Sequence, residues 1–215
     1  MTPRDLALCT GARIDRATEW LPAIVDAMRE FDINTPARQA MFLAQIGHES
    51  GGLHFLIEIW GPTDAQKQYE GRADLGNNQP GDGFKFRGRS FIQITGRANY
   101  KAVERAFLVD VIAQPELLAQ VPLAARASAW WWKNHGLNEL ADTGSCEACT
   151  RRINGGLNGL DDRKALLEVA RGVLAPPPVP EPMRPMDVPH ETPPVKPSLF
   201  ASLSEFFGQL LRSKK

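Results

Sequence analysis

Ten prolines fall within the twenty-two residues 176–197, and that density decides where the folded part of this chain can end. Proline fixes φ, donates no backbone hydrogen bond and cannot continue a helix, so the stretch is expected to be an extended, semi-rigid linker. One folded domain is therefore expected over residues 1–174, with the linker over 175–197. After it, Leu199, Phe200, Leu203, Phe206, Phe207, Leu210 and Leu211 recur at helical spacing. Arg212, Lys214 and Lys215 close the chain, so residues 198–215 read as a short amphipathic helix with a cationic end. Such a helix can anchor on a membrane surface, dock on a partner or pack back on the domain. The proline-rich spacer favours the first two.

Lys+Arg and Asp+Glu both count 25, a formal net charge of zero, which removes any global electrostatic case for a nucleic-acid partner. Three cysteines are too few for a disulfide framework. Cys146 and Cys149 have the spacing of a metal or redox pair, but no second pair or suitably spaced histidine completes a four-ligand zinc site. No metal and no cofactor are expected. No apolar run of about 18 residues exists, and the first residues carry no secretory pattern. The expectation is a soluble monomer made in the cytoplasm. A substrate outside the cytoplasm would require that something else carry the protein to it.

Within residues 1–174 the pattern is mainly α. Residues 17–31 place Trp20, Leu21, Ile24, Val25 and Met28 on one helical face. Thr35 and Pro36 form a helix start, and that helix is expected to run through Phe42, Leu43 and Ile46 and stop before Gly51-Gly52. Residues 76–90, rich in Gly, Asn and Pro, are expected to be loop. Residues 91–94 fit a strand or a helix entry. Further helices are expected at 97–107, 115–119, 122–134, 147–153 and 161–173. Of the adjacent Trp130, Trp131 and Trp132, three neighbours cannot share one helix face, and Trp132 is expected in the core.

Glu49 ends the apolar helix. Partial negative charge at a helix C-terminus and apolar neighbours both favour a carboxyl group that keeps its proton, as a glycosidase acid must. Glu58 follows nine residues later, beyond the glycine break. An inverting glycosidase needs two carboxyl groups about 6.5–9.5 Å apart with a water between them, which residues on separate segments can provide. Glu70 is a rival for the second role. If residues 91–94 are extended, Gln93 and Thr95 share one face and could line a cleft for sugar hydroxyls or hold a water. Asn154 sits at a second Gly/Asn cluster, Arg152–Gly159, where an ordinary turn is the plain alternative. His48 is expected to support the helix end through a hydrogen bond.

These stretches, Phe42–Gly52, Tyr69–Asn77, Arg87–Tyr100 and Ile153–Gly156, come in an order that resembles the family 19 glycoside hydrolases, in particular the phage and prophage endolysin branch. The resemblance covers about residues 4–174. It implies a two-lobed, mainly helical, lysozyme-like fold with a minor β or extended segment, and an inverting mechanism. It makes Glu49 the general acid, Glu58 the base and Thr95 a residue that helps hold the water. Gln93, Asn154, Tyr69 and Arg72 become candidate substrate-binding residues, and Arg163 matches a late arginine near the cleft. Ser90 departs from the family, which more often has glycine there. The implied activity is cleavage of β-1,4 bonds in peptidoglycan glycan strands for host lysis. Chitin hydrolysis, a secreted antibacterial effector and a non-catalytic wall-binding module are the alternatives.

Overall fold

The computed structural model describes residues 1–175. The linker and amphipathic helix expected beyond them lie outside the described residues. Ten α-helices are described: α1 (Pro3–Thr10), α2 (Ile14–Glu30), α3 (Pro36–Glu49), α4 (Asp64–Lys67), α5 (Asp82–Lys85), α6 (Arg97–Phe107), α7 (Leu123–Asn134), α8 (Leu137–Asp142), α9 (Cys146–Asn154) and α10 (Leu160–Leu174). Two 3₁₀ turns stand at Ala73–Leu75 and Pro115–Ala119. The mainly helical architecture is as expected. The strand content among the described residues is two single-residue antiparallel bridges, Ile57 to Arg89 and Arg89 to Ile94.

The organising element is α3. The Thr35 hydroxyl accepts from the Arg38 amide at 3.2 Å and Pro36 occupies the first turn, where its missing N–H costs nothing. Every residue from Ala40 to Gly47 is buried, so the helix is enclosed on all sides rather than resting one face on a core. It packs against α10, α1, α8 and α9, while α2 packs on α1 and α7. Gly47 permits the close approach of α1: a Cβ there would stand 2.5 Å from the Thr10 carbonyl oxygen. Trp132 is fully buried and meets Phe42 edge-on with centroids 5.3 Å apart, which joins α7 to α3.

Residues 50–96 have only short helical turns and take their shape from anchors on the helical body. Phe91 is buried, its ring edge-on to Trp20 of α2 at 4.8 Å, and its amide donates to the Ser128 hydroxyl of α7 at 3.2 Å. Arg16 of α2 donates to the Leu53 carbonyl from Nε and Nη2 at 3.2 and 2.8 Å. Asp82 is 2% exposed and accepts from Arg97 Nε and Nη2 at 2.7 and 2.5 Å, as well as from the Asn78 and Gln79 amides. That pair pins the 76–83 segment to α6. The expected loop at 76–90 is thus interrupted by α5, and α1 and α8 add helix that periodicity missed. At eight and six residues they are too short to show it. The 115–119 helix is a 3₁₀ turn.

Residues 91–94 are neither strand nor helix entry. Ser90 and Gln93 have φ of 69° and 55°, left-handed values that break any strand alternation across them.

The Arg97 guanidinium, followed by backbone donors, holds the Asp82 carboxyl below its ordinary value of 3.8. A depressed carboxyl stabilises the fold above its unfolded pKa, and that contribution fades as pH falls through the lower folded value. Asp82→Asn is expected to cost about 3–5 kcal/mol near neutral pH, because it strands a buried guanidinium. In urea melts its deficit against the unsubstituted protein should be full above about pH 5 and shrink below about pH 4. A deficit independent of pH would contradict the ion-pair assignment.

Candidate active site

Glu49 is the last residue of α3. The Ser50 hydroxyl turns back to donate to the Ile46 carbonyl at 2.6 Å and accepts from the Leu53 amide at 2.8 Å. Gly52 takes φ 71°, and a Cβ there would lie 2.7 Å from the Gly11 carbonyl oxygen, so only glycine lets the chain leave along this path. The turn leaves the Glu49 side chain 16% exposed, with Oε1 accepting from Arg163 Nη2 at 2.5 Å. Among the described residues Oε2 has no hydrogen-bond partner.

Arg163 reaches Glu49 from α10 and is 1% exposed. Its Nη1 donates to Gln45 Oε1 at 2.5 Å and its Nε to the Asn158 carbonyl at 3.3 Å. Gln45, one turn before Glu49 on α3, is itself fully buried, and its Nε2 donates to the Thr150 hydroxyl of α9 at 3.3 Å. Phe42, Leu43 and Ile46 face the core, and the group against the Glu49 carboxylate is a cation. A helix end with apolar neighbours gives no sign of that cation in the local sequence. His48 supports the same corner: its Nδ1 lies 2.6 Å from Asp162 Oδ2, and its ring packs so closely on Gly159 that no side chain would fit there.

Glu58 lies on the extended stretch after the glycine turn, beside the Ile57–Arg89 bridge. Its own amide donates to the Gly88 carbonyl at 2.9 Å, while the Gly88 amide donates to Oε2 at 3.0 Å. Oε1 accepts from Gln66 Nε2 at 2.9 Å and from the Tyr69 hydroxyl at 3.4 Å. Burial pushes the Tyr69 phenol up, and the neighbouring Glu58 charge adds to this, so the hydroxyl keeps its proton as a donor.

Gln93 and Thr95 pack against Gly88. A Cβ on Gly88 would meet Gln93 Oε1 at 2.6 Å and Thr95 Oγ1 at 3.3 Å. They converge on Gly88, whose amide holds Glu58, through the left-handed turn at Gln93, and not through the strand alternation that the sequence suggested. The Thr95 hydroxyl donates to the Gln93 carbonyl at 2.9 Å. Gln93 Nε2 donates to the Phe55 carbonyl at 3.3 Å, while Oε1 is buried without a partner. The Phe55 amide in turn donates to the Ser50 carbonyl at 2.7 Å, so hydrogen bonds connect Gln93 through Phe55 to the residue after Glu49.

The other candidates are distributed less evenly. Asn154 ends α9; its Oδ1 accepts from the Gly156 amide at 2.8 Å and its Nδ2 donates to the Asn158 carbonyl at 3.2 Å, the oxygen that also takes Arg163 Nε. Arg72 spends its guanidinium on Asp74 in an exposed bridge of 2.6 Å, and no contact joins it to Glu58 among the described residues. Glu70 has both oxygens on backbone amides, Gly81 at 2.6 Å and Gly83 at 2.9 Å, where it braces the start of α5.

Two positioning amides escaped the sequence reading. Gln66 belongs to a legible capping box with Thr63, but its simultaneous donation to Glu58 depends on how the loop folds. Gln45 was visible as the one amide in an apolar run and, four residues before Glu49, on the same helical face. Among the described residues no cluster of His, Cys, Asp and Glu is arranged to hold a metal ion. Cys9, Cys146 and Cys149 are buried free thiols, and burial pushes Cys149 up to about 12. Among the described residues no helix is long and apolar enough to cross a membrane.

No protein-family model matches the sequence. The chain is 39% identical over 153 residues to a glycosyl hydrolase family 19 domain-containing protein of Haemophilus influenzae, covering 59% of this chain and 74% of that one. It is 34% identical over 117 residues to an endochitinase of Arabidopsis thaliana, covering 54% of this chain but only 39% of the plant protein. A bacterial family 19 chitinase superposes with a TM-score of 0.64 at 23% identity, over 81% of this chain and 94% of that one. Chitinase C from Streptomyces griseus gives 0.60 at 21% identity, over 80% and 76%. At those identities the superpositions establish the fold, and the family rests on the Haemophilus relative. With three quarters of that relative spanned, this chain belongs to glycoside hydrolase family 19.

Proposed function

We propose that the protein is an endolysin-type hydrolase that cuts the β-1,4 bonds of peptidoglycan glycan strands by single displacement with inversion. The observation that carries this reading is the pair of carboxyl groups on separate segments. Glu49 is held by Arg163 at 2.5 Å, and Glu58 is held by Gly88, Gln66 and Tyr69, with Gln93 and Thr95 against Gly88. In this reading Glu49 protonates the leaving glycosidic oxygen through its free Oε2. The carboxylate left behind gains in attraction to Arg163, so the cation draws the proton transfer forward. Glu58, fixed in one orientation by three donors, takes the proton of a water that attacks from the opposite face of the sugar. Gln93 and Thr95 flank that water, and Asn154 and Tyr69 contact neighbouring sugar hydroxyls. Arg72 would bind glycan only by exchanging Asp74 for it. The enzyme would meet its substrate in the periplasm after passage through a lysis pore.

Chitin is the second reading, favoured by the names of the relatives and solved structures, several of which are endochitinases or chitinases. The bond and the carboxyl groups needed are the same, so mass analysis of products from purified peptidoglycan and from chitin oligomers decides between them. Glu49→Gln and Glu58→Gln should each reduce turnover by at least about a hundredfold on the preferred substrate, with far-ultraviolet circular dichroism unchanged. Glu70→Gln should lower thermal stability while leaving turnover within about threefold, since its oxygens serve α5. Full activity of Glu49→Gln, or a Glu70→Gln loss as deep as that of Glu58→Gln, would overturn these roles.

The space at Gly88 gives a separate check. Gly88→Ala would push a methyl group against the Gln93 amide and the Thr95 hydroxyl, 2.6 and 3.3 Å away. Turnover should fall by about tenfold or more, the expected scale for a displaced catalytic water. Unchanged turnover in a folded Gly88→Ala protein would remove Gln93 and Thr95 from the water's surroundings.

A further inference from the structure

Gln45 is an amide with no exposure, placed in the middle of a helix that is otherwise apolar from Ala40 to Ile46. Burying an amide is costly unless both ends are bonded, and both are. Oε1 accepts from Arg163 Nη1 at 2.5 Å and Nε2 donates to the Thr150 hydroxyl at 3.3 Å, with Cys146 Sγ at 3.6 Å. The Thr150 hydroxyl donates its own proton to the Cys146 carbonyl at 2.8 Å, so it presents a lone pair to Nε2 and fixes which way the amide points. The charged or titratable groups around Gln45 are Arg163 from α10, Cys146 from α9 and Glu49 from its own helix, while Lys164 and Arg171 of α10 add positive charge that reaches Cys146.

The consequence lies in how the guanidinium distributes its charge. Arg163 donates to one neutral amide oxygen, one backbone carbonyl and one carboxylate. A neutral acceptor holds Nη1 in place without competing for the cation, so Glu49 is the sole carboxylate on Arg163 among the described residues. We infer that Gln45 is a positioning residue for the reaction: it holds Arg163 in the one orientation that serves Glu49 and, by being uncharged, reserves that cation for the catalytic carboxyl group. This inference rests on Glu49 being the acid.

The test uses the full-length protein, its preferred glycan oligomer, and steady-state rates across pH for Gln45→Glu and Gln45→Leu. Gln45→Glu puts a second carboxylate on Arg163 and a like charge near Glu49, so Glu49 should hold its proton to higher pH. The alkaline limb of the kcat/KM profile, which reports the acid in the free enzyme, should move up by about one pH unit. Gln45→Leu leaves Nη1 unheld and should lower kcat by about tenfold with KM changed less than about threefold, the signature of lost alignment. A purely structural amide would change stability but leave kcat of folded Gln45→Leu within about twofold, and that outcome, or a fixed alkaline limb in folded Gln45→Glu, overturns the inference. Should Gln45→Glu fail to fold, Thr150→Val, which frees the other end of the same amide, replaces it. A fall in kcat of about threefold or more then supports the inference, and an unchanged kcat overturns it. Glu49→Gln in the same assay separates the two claims. If it is inactive while the Gln45 and Thr150 variants behave normally, only the positioning role falls; if it is active, the acid assignment falls with it.

Discussion

A guanidinium at 1% exposure cannot be left unpaired, and the fold around the candidate active site follows from meeting that requirement. Arg163 enters from α10 and finds its carboxylate at the end of α3, its neutral amide one turn earlier on the same helix, and its carbonyl in the loop after α9. Two helices, α10 and α3, and the loop after α9 are therefore locked at one point. Glu49 is held from behind by protein and left open at one oxygen. The surrounding packing serves the same end: α3 is buried on all sides from Ala40 to Gly47, so its last residue has little freedom to shift.

The second carboxyl group is positioned by a different kind of structure. Glu58 sits in a region with little regular secondary structure, where precision comes from anchors spaced along the loop. Leu53 is held by Arg16, Phe91 by Trp20 and Ser128, and the 76–83 segment by the Asp82–Arg97 pair. Catalytic groups on loops need such external fixing, because the loop backbone alone would not hold a carboxylate to within half an ångström or so. The left-handed residues Ser90 and Gln93 fit this picture. Their strained φ values are tolerated where the surrounding contacts over-determine the turn, and they carry the Gln93 side chain to Gly88.

The helical body was legible in the sequence because its long helices carry a clear period and strong ends: Thr35-Pro36 before α3, the glycines after Glu49, and the apolar face of α2. The same reading placed Trp132 in the core and gave His48 a supporting hydrogen bond, now seen to Asp162. Residues 91–94 resisted it, because whether Ile92 and Ile94 alternate or turn depends on the anchors at Phe91 and on backbone angles that no short-range pattern dictates. The environment of Glu49 resisted it too. Local sequence showed an apolar helix end, while the cation that faces the carboxylate comes from 114 residues further along. Glu70 illustrates the converse: an acidic residue in a motif, attractive in sequence, whose oxygens are both committed to backbone amides.

The account stands on two carboxyl groups acting from opposite faces of one glycosidic bond with a water in between, and stereochemistry reads that arrangement directly. Proton NMR of the first product released from a β-linked oligomer, recorded before mutarotation, shows which anomer the enzyme makes. Single displacement from Glu49 and Glu58 gives the α-anomer as the initial product. An initial β-anomer would mean that one of these carboxyl groups, or a neighbouring group of the substrate, attacks the sugar itself, and the division of roles between Glu49 and Glu58 would be wrong.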